Sequence, residues 1–345
     1  MLRKSDLPTP ALLLDLDAFE KNLARMAESA GKSGKKLRPH AKAHKCVDIA
    51  HRQLDAGAAG ICVATVAEAE LMASAGIADL LLTSPLGEPA KISRIVRTGA
   101  MVVVDHPAQV AWYALTNRPL DVLIDLDVGD HRTGARSVDQ ALEIARAVDA
   151  APNLRLRGLQ AYSVSGSHAS GDDRRRNSQH TFQIAAAARD ALKHAGFSTE
   201  ILSGGSTGTW DVDLALPELT EFQAGSYALM DLAYRKLGID FQNALTVLST
   251  VISANHNGFA TVDAGYKAFS TDRPFGPEAV DLAGSKYRWA GDEFGFLDHP
   301  DLKLGERVEF IPPHCDPTVN LYDRIHACRG VFVEAVWPVM DRYKC

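Results

Sequence analysis

The sequence predicts an α/β protein in which a (β/α)8 TIM barrel is accompanied by a smaller β-rich domain. The first observation is a pattern that repeats eight times: a short apolar run, a polar or glycine-containing turn, and an alanine-rich helical segment. Alternating strands and helices indicate parallel strands, and eight such units close naturally into a barrel. The second observation is a change after about Asn243, where shorter apolar runs with turns between them indicate further strands. We therefore assign the barrel to residues 18–243, and the β-rich domain to residues 1–17 together with 244–345.

The elements can be justified in chain order. Residues 11–16 predict a strand that is expected to join the β-rich domain, and Asp17 is expected to cap the amphipathic helix that follows. The eight barrel runs are Leu37 to Lys42, Gly60 to Thr65, Asp79 to Ser84, Met101 to Asp105, Asp121 to Asp127, Arg157 to Ser163, Thr199 to Gly204 and Leu219 to Gly225. Helical patterns between them include Val66 to Gly76 and Ser137 to Val148. The later strands are predicted at Thr246 to Ala254, Phe259 to Gly265, Glu306 to Pro312 and Gly330 to Trp337.

Composition limits the class of protein. The chain has 345 residues, of which 46% are hydrophobic and 23% charged, enough for one large domain and a smaller one. A net charge of -6 and a pI near 6.1 argue against a nucleic-acid partner, because phosphate binding needs a basic face. The N-terminal apolar run is short and broken by prolines, which predicts neither a signal peptide nor a membrane span. Five cysteines without a C-x-x-C pair predict a reduced, cytoplasmic protein, and a small molecule is the expected partner.

The segment L-R-P-H-A-K-A-H-K, residues 37–45, contains the first barrel run, which ends at Lys42. If it is extended, His40, Lys42 and His44 share one face and two alanines occupy the other. Two imidazoles, with Arg38 and another lysine nearby, would make protonation of the Lys42 amine less favourable. A Schiff-base lysine needs that property, although a basic surface loop would have the same composition.

Glycines and hydroxyls follow the seventh and eighth runs, in G-G-S-T-G-T (Gly204 to Thr209) and Q-A-G-S-Y (Gln223 to Tyr227). In such barrels the chemistry occurs at the carboxyl ends of the strands, and phosphate groups bind after the last two. Small residues allow backbone N–H groups to approach a phosphate closely. We therefore expect a phosphate-bearing ligand, whereas a glycine-rich segment elsewhere in the chain would indicate only a turn.

His314 and Asp316 are a candidate metal pair in the segment P-P-H-C-D-P. In an extended segment these two side chains project together while Cys315 points away. One imidazole nitrogen and one carboxylate suit a divalent metal whose other positions are filled by water or substrate. The alternative is an ordinary hydrogen bond between the two side chains.

Six motifs occur in this order: R-P-H-A-K-A-H-K, D-V-G-D-H-R-T-G, G-L-Q-A-Y, G-G-S-T-G-T, Q-A-G-S-Y and P-P-H-C-D-P-T-V-N-L-Y-D. Together they resemble the D-threonine aldolase and D-serine dehydratase group of fold-type III pyridoxal-phosphate (PLP) enzymes, related to the alanine racemase barrel. The resemblance spans nearly the whole chain and implies that Lys42 carries PLP. It implies a pocket formed by Arg132 and Tyr162, with Gln223 beside the cofactor ring. The phosphate ligands it implies are Gly204, Gly205, Ser206, Thr207, Gly225, Ser226 and Tyr227.

The same resemblance makes His314 and Asp316 the metal ligands, with Mn²⁺ or Mg²⁺ expected and Zn²⁺ as the alternative. The group carries H-x-D in aldolases and H-x-C in D-serine dehydratases, so Asp316 favours an aldolase. His168 is the implied base, although S-V-S-G-S-H follows Tyr162 where relatives often have a pocket residue directly. Where alanine racemases have an arginine near the ring this chain has Gln223, so the electron demand of the ring depends on its own protonation.

These expectations define one reaction and its rivals. The reaction is retro-aldol cleavage of a D-β-hydroxy-α-amino acid, with D-threonine giving glycine and acetaldehyde as the type case. A dehydratase acting on D-serine or 3-hydroxy-D-aspartate would use the same residues. A non-catalytic PLP carrier is the third alternative, but carriers resemble the barrel alone and lack a β-rich part with a metal pair. The resemblance also implies a homodimer.

Overall fold

The computed structural model describes residues 2–340, which divide into two compact units. Within the described residues, the barrel unit comprises residues 25–42 and 49–225, and the β-rich unit comprises residues 2–24, 43–48 and 226–340. The domain limits expected from the sequence, at residues 17/18 and 243/244, stay a prediction.

The strands are β1 (Ala11–Asp15), β2 (Lys36–Leu37), β3 (Ile61–Val63), β4 (Leu80–Leu82), β5 (Met101–Val104), β6 (Leu120–Asp125), β7 (Leu154–Ala161), β8 (Ile201–Gly204), β9 (Glu221–Phe222), β10 (Leu245–His256), β11 (Phe259–Val262), β12 (Glu278–Ala279), β13 (Lys286–Trp289), β14 (Gly295–Asp298), β15 (Arg307–Ile311), β16 (Arg324–Arg329) and β17 (Phe332–Pro338). The α-helices are α1 (Leu16–Lys32), α2 (Val47–Asp55), α3 (Val66–Ser74), α4 (Pro89–Thr98), α5 (Pro107–Ala114), α6 (Val138–Asp149), α7 (Val164–Ser167), α8 (Gly171–His194), α9 (Trp210–Asp213), α10 (Leu232–Lys236) and α11 (Cys315–Val319). Short 3-10 helices lie at Lys4–Asp6, Ala41–Ala43, Thr207–Thr209 and Ser226–Ala228.

Strands β2 to β9 form a parallel sheet in the order β2-β9-β8-β7-β6-β5-β4-β3. The two ends of this order meet, because His40 and Cys62 form a parallel bridge and the Cys62 N–H donates to the Pro39 carbonyl at 2.8 Å. Each of the eight predicted runs overlaps one strand of this sheet. The predicted barrel is therefore confirmed.

Local sequence explains the barrel elements. All four residues of β5 are buried, as expected for a parallel strand covered on both faces. Helices α3 and α6 match the predicted patterns and begin at capping hydroxyls: Thr65 accepts from the Glu68 N–H, and Ser137 from the Gln140 N–H. Each cap contributes about 0.5–2 kcal/mol to stability.

The β-rich unit contains a sheet in the order β13-β14-β11-β10-β1-β16-β17, with β15 paired to both β10 and β12. The N-terminal strand β1 runs antiparallel to β10 and parallel to β16, so it lies inside this sheet, as predicted. Strands β12, β13, β14 and β16 were not predicted from the sequence. Charged residues interrupt them, as in K-Y-R-W and R-I-H-A-C-R, and hide the apolar alternation.

The predicted role of Asp17 is wrong. Helix α1 already begins at Leu16, which puts Asp17 in its first turn. The carboxylate of Asp15 instead accepts the Ala18 N–H at 3.0 Å, because β1 passes into α1 without a connecting loop.

Four cysteines, Cys46, Cys62, Cys315 and Cys328, are buried thiols without disulfide bonds, and Cys345 lies outside the described residues. Among residues 2–340, no helix has the length and apolar character that a membrane crossing requires. The cytoplasmic location stays a prediction.

Candidate active site

A cleft of about 360 Å³ opens at the carboxyl ends of the barrel strands, where the sequence predicts the chemistry. Its lining residues follow or end β2, β3, β4, β6, β7 and β9, so it draws on most of the barrel. They are His40, Lys42, Ala64, Thr83, Ser84, Pro85, Arg132, Thr133, Gln160, Tyr162 and Gln223.

Lys42 lies in a 3-10 turn rather than in an extended strand. Sheet pairing continues only to His40, and the turn formed by Ala41, Lys42 and Ala43 follows. The expected common face of His40, Lys42 and His44 is therefore wrong, since alternation holds only while the backbone stays extended. The two alanines are fully buried, which lets this turn pack tightly.

The ring of His40 is oriented by two hydrogen bonds. Its Nδ1 accepts the Lys42 N–H at 3.3 Å, so the proton is on Nε2, which donates to Thr83 Oγ1 at 3.0 Å. An imidazole with this arrangement is neutral. Arg38, expected to act on the Lys42 amine, is instead paired with Glu221 at 2.9 Å and Asp79 at 2.7 Å among the residues at the amino ends of the strands.

The ring of Tyr162 brings two cationic side chains together. Lys42 Nζ lies 5.5 Å and Arg132 Cζ 5.0 Å from the ring centroid, both within the range of cation–π attraction. The structure thus unites three of the residues predicted for the pocket. His168 directly follows α7 and is not among the described residues that line the cleft, so its role as a base stays a prediction.

The loop after β8 needs its glycines. Gly205 has φ +80°, and a Cβ there would lie 2.4 Å from the Phe222 ring. A Cβ on Gly204 would lie 2.0 Å from the Ala161 carbonyl oxygen. Only glycine lets the backbone pass this closely, and the same property would let it approach a phosphate.

Asp213 supports this loop, and no sequence motif predicted its role. Its buried carboxylate accepts hydrogen bonds from the hydroxyls of Ser178 and Thr209 and from the Ser206 N–H. Burial raises the pKa of Asp213 to about 6. The Ser206 N–H, predicted as a phosphate donor, is therefore directed to Asp213. The acidic pair in W-D-V-D directly after the loop was the available signal.

A second buried acid, Asp125, ends β6 below the cleft. It accepts hydrogen bonds from Thr133 Oγ1 and Gln160 Nε2, both at 2.8 Å. Burial raises the pKa of Asp125 to about 6. This carboxylate was also not identified from the sequence, where it reads as part of an apolar run.

In the β-rich unit, His314 precedes α11 and Asp316 lies in its first turn. The predicted extended geometry of this pair is wrong, because the helix begins at Cys315. His314 Nδ1 lies 2.7 Å from Asp272 Oδ2 and 3.4 Å from Arg273 Nη2. A carboxylate that accepts from one ring nitrogen is the usual orienting partner of a metal-binding histidine. Asp316 Oδ1 accepts from the Ser226 hydroxyl at 2.9 Å.

These donors fit a divalent cation that keeps water or substrate oxygens in its shell. Among residues 2–340 no group of three or more His, Cys, Asp or Glu side chains is arranged to hold a metal, so the protein would supply few ligands.

Ser226, predicted to bind phosphate, uses its hydroxyl hydrogen for Asp316. Tyr227 is buried, and its ring lies 5.8 Å from that of Phe241. The phosphate-binding roles of Gly225 and Tyr227 stay predictions.

Comparison with known families places the chain in a class. Residues 14–232 match the model of the alanine racemase N-terminal domain, and residues 244–328 match that of a serine dehydratase domain. The chain belongs to the alanine racemase N-terminal domain family and has its fold-type III barrel.

Individual relatives narrow the assignment from the barrel family to a group of enzymes within it. The chain is 37% identical to a 3-hydroxy-D-aspartate aldolase of Paracoccus denitrificans (strain Pd 1222), covering 99% of this chain and 94% of the relative. It is 36% identical to a D-threonine aldolase of an Arthrobacter species, with 97% and 92% covered. The crystal structure of D-threonine aldolase from Filomicrobium marinum superposes with a TM-score of 0.95 at 35% identity, covering 99% and 97%. Membership of the D-threonine aldolase and D-serine dehydratase group is thus confirmed, as is the lyase class.

Proposed function

We propose that this protein is a PLP- and divalent-metal-dependent aldolase that cleaves D-β-hydroxy-α-amino acids, with D-threonine giving glycine and acetaldehyde. The observation that carries the proposal is the Lys42 amine at the carboxyl-end cleft, beside the Tyr162 ring and a neutral His40. An amine that must bond covalently to an aldehyde must be reachable from the cleft and held in place by its neighbours.

The barrel residues suit the cofactor. Lys42 Nζ would form the covalent attachment, Tyr162 and Arg132 would flank the ring, and the loop at Gly204 and Gly205 would admit the phosphate. When bound, PLP would supply the electron sink for the pair released from the Cα–Cβ bond. The proposed proton donor to Cα is Lys42 Nζ.

The pair in the β-rich unit suits the substrate hydroxyl. His314 Nε2 and the Asp316 carboxylate are hard or borderline ligands, which favour Mn²⁺ or Mg²⁺ and allow Zn²⁺. A cation held there would lower the pKa of the β-hydroxyl. His168 is the proposed acceptor of that proton.

Two substrates and two reactions, cleavage and dehydration, must be distinguished. The 3-hydroxy-D-aspartate aldolase among the relatives supports 3-hydroxy-D-aspartate as a second substrate, which would give glycine and glyoxylate. Dehydration of D-serine or 3-hydroxy-D-aspartate by the same residues is the rival reaction. Asp316 favours cleavage, because the resemblance associates cysteine at that position with the dehydratases. A non-catalytic carrier would perform neither reaction.

The test is to incubate the PLP- and Mn²⁺-loaded protein with D-threonine, D-serine and 3-hydroxy-D-aspartate, with L-threonine as the control. Aldolase activity releases glycine with acetaldehyde or glyoxylate, whereas dehydration releases ammonia with a 2-oxo acid. The proposal expects the first set from the D-substrates and nothing from L-threonine. A 2-oxo acid as the main product would replace the aldolase by the dehydratase.

The metal can be tested separately. Chelation should abolish cleavage while the visible absorption of the bound cofactor is retained, because the proposed metal ligands do not hold PLP. Undiminished cleavage of D-threonine in chelator would reduce His314 and Asp316 to a structural pair.

A further inference from the structure

We propose that Gln223 presents its side-chain oxygen to the cleft as a hydrogen-bond acceptor, and that the barrel thereby keeps the PLP ring nitrogen protonated. The inference rests on the proposed function, because it takes PLP as the occupant of the cleft. It follows from a buried hydrogen-bond chain whose direction is determined at both ends.

The first end of the chain is a carboxylate. Gln160 Nε2 donates to Asp125 Oδ1 at 2.8 Å and to the Thr83 carbonyl oxygen at 2.9 Å. Both partners can only accept while Asp125 is ionised. The two amide hydrogens of Gln160 are therefore both in use, and its Oε1 is left to accept.

The side-chain amide of Gln223 contacts Gln160 Oε1. The Nε2 atom of Gln223 lies 3.2 Å from Gln160 Oε1, so this atom must be the donating nitrogen of the Gln223 amide. The opposite orientation would bring two amide oxygens together inside the barrel.

The second end of the chain is also a carboxylate. Gln223 Nε2 donates its other hydrogen to Ser203 Oγ at 2.9 Å, and that hydroxyl donates to Glu221 Oε1 at 2.8 Å. Glu221 is paired with the Arg38 guanidinium at 2.9 Å, which holds it in the acceptor-only charged form. Both hydrogens of the Gln223 amide are thus committed to chains that end in carboxylates.

The remaining polar atom of the side chain is its oxygen. Gln223 is buried yet lines the cleft, so the group complementary to it in a bound ligand is a hydrogen-bond donor. The resemblance puts Gln223 beside the PLP ring, whose nitrogen can donate only when it is protonated, and a hydrogen bond to the protonated form raises the pKa of that nitrogen. An arginine at this position could only donate and would favour the unprotonated ring. Protonation strengthens the electron demand of the ring, which favours bond cleavage at Cα.

The experiment measures the protonation state of the PLP ring nitrogen. The protein is loaded with PLP carrying ¹⁵N in the ring, and the ¹⁵N chemical shift is recorded at pH 8, where Asp125 is ionised. We expect the shift of a protonated pyridine in the unaltered protein. In Gln223→Arg the shift should move to that of an unprotonated pyridine. Gln183→Arg, the same change at an exposed position on α8, should leave the shift unaltered.

The outcomes separate this inference from the proposed function. Bound PLP with an unprotonated ring nitrogen in the unaltered protein would overturn the inference alone. A protonated ring that persists in Gln223→Arg would overturn it too, because the protonation would not depend on this side chain. Failure of PLP to attach to Lys42 would overturn both. If circular dichroism shows that Gln223→Arg does not fold, Gln223→Leu removes the acceptor at similar volume and should also shift the ring toward the unprotonated form.

Discussion

Charged side chains have different partners at the two mouths of the barrel. At the amino ends of the strands, Arg38 is paired with Glu221 and Asp79, and Arg155 with Asp121 at 2.7 Å. At the carboxyl ends, Lys42 and Arg132 lie against Tyr162, and within residues 2–340 neither forms a salt bridge. Compensated charges stabilise a fold, whereas cations that contact an aromatic ring remain available to a ligand. We therefore expect changes at the amino mouth to alter stability, and changes at the carboxyl mouth to alter function.

The largest effect is expected at the carboxyl mouth, for Lys42→Ala. Cleavage of D-threonine should fall below detection while the thermal unfolding midpoint stays close to that of the unaltered protein. Borohydride reduction of the loaded protein followed by peptide mass analysis should find the cofactor on Lys42. Lys267→Ala, at an exposed lysine paired with Glu293, is the control and should retain both colour and activity. Label on Lys45 or Lys267 would contradict the assignment.

Arg38→Met tests the amino mouth. It leaves the buried Glu221 carboxylate without its partner, so the free energy of unfolding should fall by about 3–5 kcal/mol. Denaturant titration measures this, and the folded fraction should still bind PLP at Lys42. Arg155→Ala, at an exposed salt bridge, should cost no more than about 1 kcal/mol. Equal losses in the two variants would remove the distinction between buried and exposed pairs.

Asp213 brings a pH dependence to the loop beside the carboxyl mouth. Its pKa is raised from 3.8 to about 6 in the folded state, so the folded protein binds this proton more tightly than the unfolded chain. The contribution is favourable at low pH and is lost as the pH rises from about 4 to about 6, by on the order of 3 kcal/mol. Asp213→Asn should flatten this part of the stability profile, measured by denaturant titration at each pH. An unchanged slope would assign the pH dependence to other groups, with Asp125 as the next candidate.

The smallest effect is expected in the β-rich unit, at Asp272. Asp272→Asn weakens the group that keeps the proton on His314 Nδ1, so the affinity for Mn²⁺ should fall about 10- to 100-fold. Metal titration of the PLP-loaded protein measures this without an activity assay. Asp298→Asn, at an exposed carboxylate paired with Arg288, is the matched control. Unchanged affinity in Asp272→Asn would show that this carboxylate does not orient a metal ligand.

Sequence alone determined the repeating framework and the main candidate for the reactive group. Strand and helix periodicities are local properties, so the eight runs, the helical patterns and the N-terminal strand were predictable from residues near each other in the chain. Lys42 was identified as a candidate because it ends the first run, and barrels of this kind carry chemistry at that end of the strands. Family membership followed from motifs whose order along the chain is itself sequence information.

Tertiary structure alone decided which groups the site residues contact. Three hydrogen-bonded pairs join residues that are far apart in the sequence. Asp213 and Ser178 are separated by 35 positions, Asp272 and His314 by 42, and Gln223 and Gln160 by 63. Periodicity carries no information about such pairs, because burial and hydrogen bonding between distant segments exist only once the strands are assembled. The 3-10 turn at Lys42 and the helix start at Cys315 overrode the local expectation of extended chain for the same reason. The sequence thus identified Lys42 as the candidate amine, and the assembled barrel determined the orientation of the Gln223 amide at the cleft.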